Sequence, residues 1–387
     1  MAEKLNLDNK SRLALRGAKA MTAVALFGGL SANAEAKADT PGHAEAAPVK
    51  LINPDKLPGH NINVSKEAFK HLKDATVFVF KKYPDGTLTP AGTGVRLGGP
   101  GERYIRISAH QARDVTNMPD GILNLPDNPD GAFDYIQNTD TKYFIGDPGI
   151  TDVFQRMLNP LGEADGLTIS TKAKDLGLLR ISEKTPDAAG PNTFSSLDKI
   201  VPLDYSLESD PNYKPVPGQK VALFGMPLSN KYIPMSATGT FIKRVKIINE
   251  NNKGTRLVDY VGIKGNSKPS NPRANTCNIG SSGMHYTANV KGRIMVSGPE
   301  SRTISLKYDP KNPSWTYSDG TPIPMAEKLK ASKRYWAEIK NQTGVNIDPF
   351  DRICIFEVPG SEMRALTTNF GNYPKAGIGE PAKGGTP

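Results

Sequence analysis

The sequence predicts an all-β protein, and two observations carry that expectation. The chain holds 37 glycines and 32 prolines among 387 residues with 37% apolar content, which favours short strands and turns over long helices. Runs rich in β-branched and aromatic residues also recur between Gly, Pro, Asn and Asp clusters, in one block from about residue 65 and another from about residue 218. The length allows two or three domains with ample core.

The N-terminus reads as an address. Lys4, Lys10, Arg12, Arg16 and Lys19 precede the short apolar run 20–30, and Ala32-Asn33-Ala34 and Ala34-Glu35-Ala36 supply overlapping small-residue cleavage sites. This is the charged, apolar and small-residue order of a secretory signal, predicted over 1–36. The mature chain is then expected to begin at Glu35 or Lys37, in the periplasm or outside the cell. The alternative is an amphipathic N-terminal helix or a transit peptide. The apolar run is too short to span a bilayer, so no stable membrane anchor is expected. Residues 37–64, rich in Ala, Pro, Lys and Asp, read as a flexible arm or propeptide.

From residue 65 the pattern becomes regular. Ser65 is placed to cap a short helix over 65–74, with Ala68, Phe69 and Leu72 on one face and His71 exposed. Strands are predicted over 75–80 and 91–97, separated by the turn Tyr83-Pro84-Asp85-Gly86, and over 103–110, where the strand ends on His110. Residues 111–170, full of Asp, Asn, Pro and Gly, read as long surface loops interrupted by short strands such as 141–145. The run Asp175-Leu176-Gly177-Leu178-Leu179 follows. In the second block, strands are predicted over 219–226, 236–246 and 256–262. Then come the turn Gly280-Ser281-Ser282-Gly283 and a strand over 293–298. Beyond 301 the pattern shifts to a helix over 324–342, with Leu329, Tyr335, Trp336 and Ile339 as its apolar stripe, and a late strand over 353–358. Residues 376–387 form a Gly/Pro/Lys tail that reads as disordered.

Composition excludes several function classes. The formal charge of +10 comes from 49 basic and 39 acidic residues, but they are interspersed and no basic block carries interleaved aromatics. A solvated basic surface follows, and no nucleic-acid partner is expected. There is no CxxC pair, H-x-x-x-H or HExxH, so neither metal nor cofactor is indicated.

Three residues stand out chemically. Ser282 sits on a turn bracketed by glycines, where backbone N–H groups can approach a substrate oxygen closely. His110 closes a strand among small neighbours; read alone, it is more readily a hydrogen-bonded structural histidine. Asp175 precedes a leucine run, where a partly buried carboxylate needs a partner such as a histidine N–H, or is simply a strand-entry turn residue.

Together, in the order His110, Asp175, Ser282, these motifs resemble the chymotrypsin/trypsin-like serine peptidase family. Ile107-Ser108-Ala109-His110 resembles the family's Thr-Ala-Ala-His, and Asp175-Leu176-Gly177-Leu178-Leu179 is similar to Asp-Ile-Ala-Leu-Leu. Gly92-Thr93-Gly94-Val95 looks like Gly-Ser-Gly-Phe, and the run from Ile294 to Gly298 looks like the strand that lines the substrate channel. The likeness covers about residues 70–300. It implies two antiparallel β-barrels, over 65–195 and 196–305, with the active site in the cleft between them, and a C-terminal extension over 306–375 that carries the helix. It implies an endopeptidase acting on a protein or peptide substrate, with the oxyanion held by the N–H groups of Gly280 and Ser282. It places a specificity pocket near Thr276, Asn278, Ser297 and Gly298. Oligomeric state is left open.

The departures matter. Gly280-Ser281-Ser282-Gly283-Met284 differs from Gly-Asp-Ser-Gly-Gly at two positions. Ser281 has no charge to pair with a freed N-terminal amine, so the site is expected to be preformed; Ser281 is also the runner-up nucleophile. Met284 replaces a small residue and is expected to crowd the oxyanion turn. The specificity runs contain no acid before Glu300, which gives no support for Arg or Lys preference. An α/β-hydrolase is excluded, because it orders Ser, Asp, His along the chain and needs glycine where Met284 stands. A non-catalytic binding module on the same fold is the remaining alternative. Cys277 and Cys354, the two cysteines of the chain, are expected to pair in an oxidising compartment and tie the extension to the nucleophile turn; two buried thiols are the alternative.

Overall fold

Antiparallel strands carry most of the regular structure. The computed structural model describes residues 50–60, 62–99, 102–112, 134–135, 141–170, 174–182, 197–226, 232–248, 255–264, 283–305, 325–360, 362–363 and 366–367. The first sheet comprises β1 (Thr76–Lys82), β2 (Leu88–Leu97), β3 (Tyr104–Ile107), β4 (Asp134–Tyr135), β5 (Lys142–Gly146), β6 (Pro160–Ile169) and β7 (Gly177–Ile181). Its order is β4-β6-β5-β1-β2-β3-β7, and β6 also pairs with β7, so six strands close into a barrel with β4 on its rim.

The second sheet comprises β8 (Lys220–Gly225), β9 (Met235–Ile248), β10 (Thr255–Ile263), β11 (His285–Val290), β12 (Arg293–Val296), β13 (Glu300–Ser305) and β14 (Arg352–Glu357). Its order is β12-β11-β8-β9-β10-β14-β13. The stretch joining β12 to β13 bonds the strand next to each end of that order: Ser297 N donates to Tyr286 O of β11 (2.8 Å) and Gly298 N to Glu357 O of β14 (3.0 Å). One short run of chain therefore closes the second sheet on itself. The all-β, two-barrel fold is the one the sequence predicts.

Side-chain alternation explains how the first barrel serves two cores at once. On β1, Val77 and Val79 enter the barrel with Ile105, Ile145 and Leu179. Phe78 and Phe80 point the other way and pack with Phe144, Met157, Met226 and Tyr232. Both faces of the strand are buried, which is why it reads as an unbroken apolar run. The helix Lys66–Ala75 starts where Ser65 Oγ accepts from Ala68 N (3.2 Å) and buries Ala68, Leu72 and Ala75, with His71 exposed. The helix Met325–Thr343 presents Trp336 and Ile339 to Ile242, Tyr260, Phe350 and Ile353 of the second barrel. Trp336 Nε1 donates to Asp348 Oδ1 at 2.9 Å, which satisfies the one polar atom of that buried ring.

Several elements differ from the sequence expectation. The stretch read as loops holds the helix Val153–Leu158 and the ten-residue β6. Pro160, Gly162 and Gly166 make β6 look like punctuation, but β5 and β7 supply partners on either side of it. Although 306–375 reads as an extension, β14 lies inside the second sheet between β10 and β13. Residues 50–60, within the predicted arm, lie against the second barrel: Ile52 bridges Val345, and Leu57 is buried with Ile242 and Trp336. The tail 376–387 and the signal 1–36 lie outside the described residues. No helix among the described residues is long and apolar enough to cross a membrane.

Gly94 tests the packing of the first barrel. A Cβ there would stand 2.5 Å from Ile105 Cγ2 and 3.0 Å from Val79 Cγ2. Gly94→Ala is expected to destabilise the protein by about 1–3 kcal/mol, the usual cost of overpacking a core. Denaturant unfolding checks this; an unchanged midpoint would contradict the packing described.

Candidate functional site

The site begins where β3 stops. The sequence predicts a strand through His110, but β3 ends at Ile107 and the helical turn Ala109–Ala112 follows. Ser108 causes the break. Its backbone N–H donates to Gln111 Oε1 (3.0 Å), and its carbonyl accepts from Gln111 N (3.1 Å). This is the reciprocal bonding of a helix start, with a glutamine side chain reaching back to the cap residue. The backbone of His110 therefore lies on a tight turn at the end of β3, not on a strand.

Asp175 reaches the same end of the barrel. β3 and β7 pair antiparallel, with Ile107 opposite Gly177 as the last pair. Beyond that pair one chain runs on to Ser108, Ala109 and His110, and the other comes in from Asp175 and Leu176. The turn before β7 is fixed where Ser170 N donates to Leu176 O (2.8 Å). Asp175 is half-buried there.

The second barrel brings the end of the glycine-serine turn to this point. Gly280, Ser281, Ser282, Thr276, Asn278 and Cys277 lie outside the described residues. Gly283, directly after Ser282, is described, with φ of +48°. A Cβ on it would lie 2.5 Å from Gln111 Nε2 and 2.6 Å from Thr93 O. The left-handed backbone and the close approach both require glycine. The residue after Ser282 thus touches the residue after His110. Gln111 Nε2 also donates to Thr93 O (3.3 Å), and Thr93 Oγ1 accepts from Met226 N (2.7 Å), so one polar seam ties the barrels together here.

Met284 is fully buried in the second barrel's core with Val221, Leu223 and Tyr286. Gly225 makes room for it, since a Cβ there would meet Met284 Cγ at 2.6 Å. The side chain expected to crowd the oxyanion turn is spent on core packing.

Ser297 and Gly298 have their hydrogen-bonding groups engaged within the protein. Ser297 Oγ accepts from Tyr286 N (2.8 Å) and donates to Gly298 O (2.7 Å). Ser297 O accepts from Arg106 Nη2 (2.6 Å). A substrate at these two residues would meet main-chain groups that already hold intramolecular partners.

Arg106 and His285 are buried polar residues that no motif announced. Arg106 is fully buried, ion-paired with buried Glu208 of the connection between the barrels. His285 is fully buried nearby, and neither ring nitrogen has a hydrogen-bond partner among the described residues. Burial, reinforced by the Arg106 charge, holds its imidazole well below the usual value, against a small opposing pull from the Gly283 backbone. Strand alternation was the available signal for Arg106: it points opposite to Ile105 and Ile107, out of the first barrel, and the second barrel covers that face. No group of three or more His, Cys, Asp or Glu among the described residues is placed to hold a metal.

No protein-family model and no curated protein matches the chain. Among solved structures, a thermostable serine protease, AL20, from an extremophilic microorganism aligns with 78% of this chain and 98% of its own, at 9% identity and a TM-score of 0.38. The fold rests on the strand pairings above.

The His285 environment sets a pH dependence. The unfolded imidazole takes up a proton as pH falls through about 6.5, whereas the folded one resists it, so this group's contribution is present above that pH and is lost below it. Between pH 7.5 and 5, the wild type is expected to lose more melting temperature than His285→Leu does. Parallel curves would contradict a neutral buried imidazole.

Proposed function

We propose that the protein is an exported serine endopeptidase that cleaves peptide bonds in a protein or peptide substrate through His110, Asp175 and Ser282. The observation that carries this reading is the contact of Gly283 with the Gln111 side chain, which joins the chain after Ser282 to the turn that holds His110. The register of β3 and β7, which leads Asp175 to the same strand end, supports it.

In this reading Ser282 Oγ attacks the scissile carbonyl carbon while His110 takes its proton. Asp175 orients the imidazole and stabilises its cation. The N–H groups of Gly280 and Ser282 hold the oxyanion, each worth about 3–4 kcal/mol of barrier in comparable sites. The tetrahedral intermediate collapses to an acyl-enzyme as His110 protonates the leaving amine, and water then releases the acid by the same route. Ser281 offers no charge for an amine, so no defined new N-terminus is required. Export would follow from the 1–36 segment, and a Cys277–Cys354 disulfide would anchor the nucleophile turn to β14. Cys354 is fully buried there, opposite Val261 and Thr303.

The second reading, a binding module without catalysis, draws on the engaged main chain of Ser297 and Gly298. A fluorophosphonate probe separates the two. The wild type is expected to be labelled on Ser282, with labelling and peptide hydrolysis lost in Ser282→Ala and His110→Ala. Asp175→Asn is expected to keep the fold and lose on the order of 10⁴-fold in kcat. Folded protein that takes no label would favour the binding module.

A further inference from the structure

The segment that ends β14 grips the turn carrying Asp175 at several points. Glu357, the last residue of β14, is fully buried and ion-paired with Arg256 of β10. Asp175 lies close to the same carboxylate. Further along, buried Glu362 accepts from Ser170 Oγ and is ion-paired with Lys174, so it holds Ser170 and the residue before Asp175 together. Met363 and Leu366 pack with Leu176 and Leu178 beneath it. The same Glu357 fixes the stretch between β12 and β13 through its main chain: its N–H donates to Pro299 O (3.0 Å), and its carbonyl accepts from Gly298 N (3.0 Å).

Burying a carboxylate is costly, and an apolar residue at this strand end would satisfy the fold more cheaply. Burial first, and the Asp175 charge second among the raising causes, push the Glu357 carboxyl up to about 7, with Arg256 and Lys174 pulling the other way. The groups facing it are Arg256 from β10 and Asp175 and Lys174 from the turn before β7. Glu300, opposite Phe356 on β13, is engaged with Thr303.

We infer that Glu357 and Glu362 are positioning residues for Asp175, locking its turn to the stretch 297–299 so that the C-terminal segment sets the geometry of the site. This rests on the peptidase reading above.

The test is the rate of fluorophosphonate labelling of Ser282 against pH in the wild type, Glu357→Gln and Glu362→Gln. Glu357→Gln keeps the side chain's size and removes the charge. It is expected to slow labelling roughly 10- to 100-fold at pH 8, the scale of a small misplacement near the chemistry, with the gap closing toward pH 6. Superimposable profiles would overturn the inference. Should Glu357→Gln fail to fold, Glu362→Gln carries the test: a slower rate at every pH with the fold retained supports the clamp, and a wild-type rate overturns it. Wild-type protein that takes no label at all overturns the peptidase reading, and the positioning role falls with it. A purely structural Glu357 would shift the melting temperature and leave the shape of the pH profile alone.

Discussion

A guanidinium sits where the two barrels meet, and the arrangement of the site depends on it. Arg106 leaves β3 away from the first barrel, pairs with Glu208 and donates to Ser297 O at 2.6 Å. Taking such a charge out of water is tolerated only when partners are held in good geometry, and removing one partner of a buried pair typically costs about 3–5 kcal/mol. That constraint fixes three pieces of chain relative to one another: the end of β3, the connection between the barrels, and the stretch after β12. The connection reinforces it by pairing with both sides, Leu203 with Leu97 of the first barrel and Glu208 with Val296 of the second.

Once the barrels are held in this register, strand ends converge. The last pair of β3 and β7 delivers the His110 turn and Asp175 together. Ser108 Oγ donates to Glu300 O (3.3 Å), and Glu300 N donates to Met284 O (2.8 Å), so the His110 turn and the chain after Ser282 share a bonded neighbour. Gly283 can then approach Gln111 closely because it has no side chain. Functional groups at strand ends, placed by a rigid sheet, are a general way of combining reach with precision.

The periodic part of this structure was legible in the sequence. Alternating or fully apolar runs such as those of β1, β8 and β10 announce themselves because their side chains meet packed cores on one or both faces. Ser65 announces its helix through local bonding alone. What was not legible depends on distant partners. β6 looks like a loop by its own residues and is a strand because β5 and β7 flank it. By its own residues β3 continues through His110, and only the bond from Ser108 to the Gln111 side chain ends it earlier. Of the candidate site, the His110, Asp175 and glycine-serine motifs were readable as short local patterns. Arg106, Glu208, His285 and Glu357 were not, since a polar residue reads as solvent-facing unless a distant part of the chain is known to cover it.

The proposed mechanism requires the two barrels to bring His110, Asp175 and Ser282 into one hydrogen-bonded line. A crystal structure of the protein treated with a small fluorophosphonate tests it most directly. The expected result is phosphorus bonded to Ser282 Oγ, a phosphoryl oxygen facing the N–H groups of Gly280 and Ser282, and His110 within about 3 Å of both Ser282 Oγ and an Asp175 carboxylate oxygen. An adduct on another residue, or a His110 ring out of hydrogen-bond reach of Ser282 or Asp175 in that structure, would contradict it.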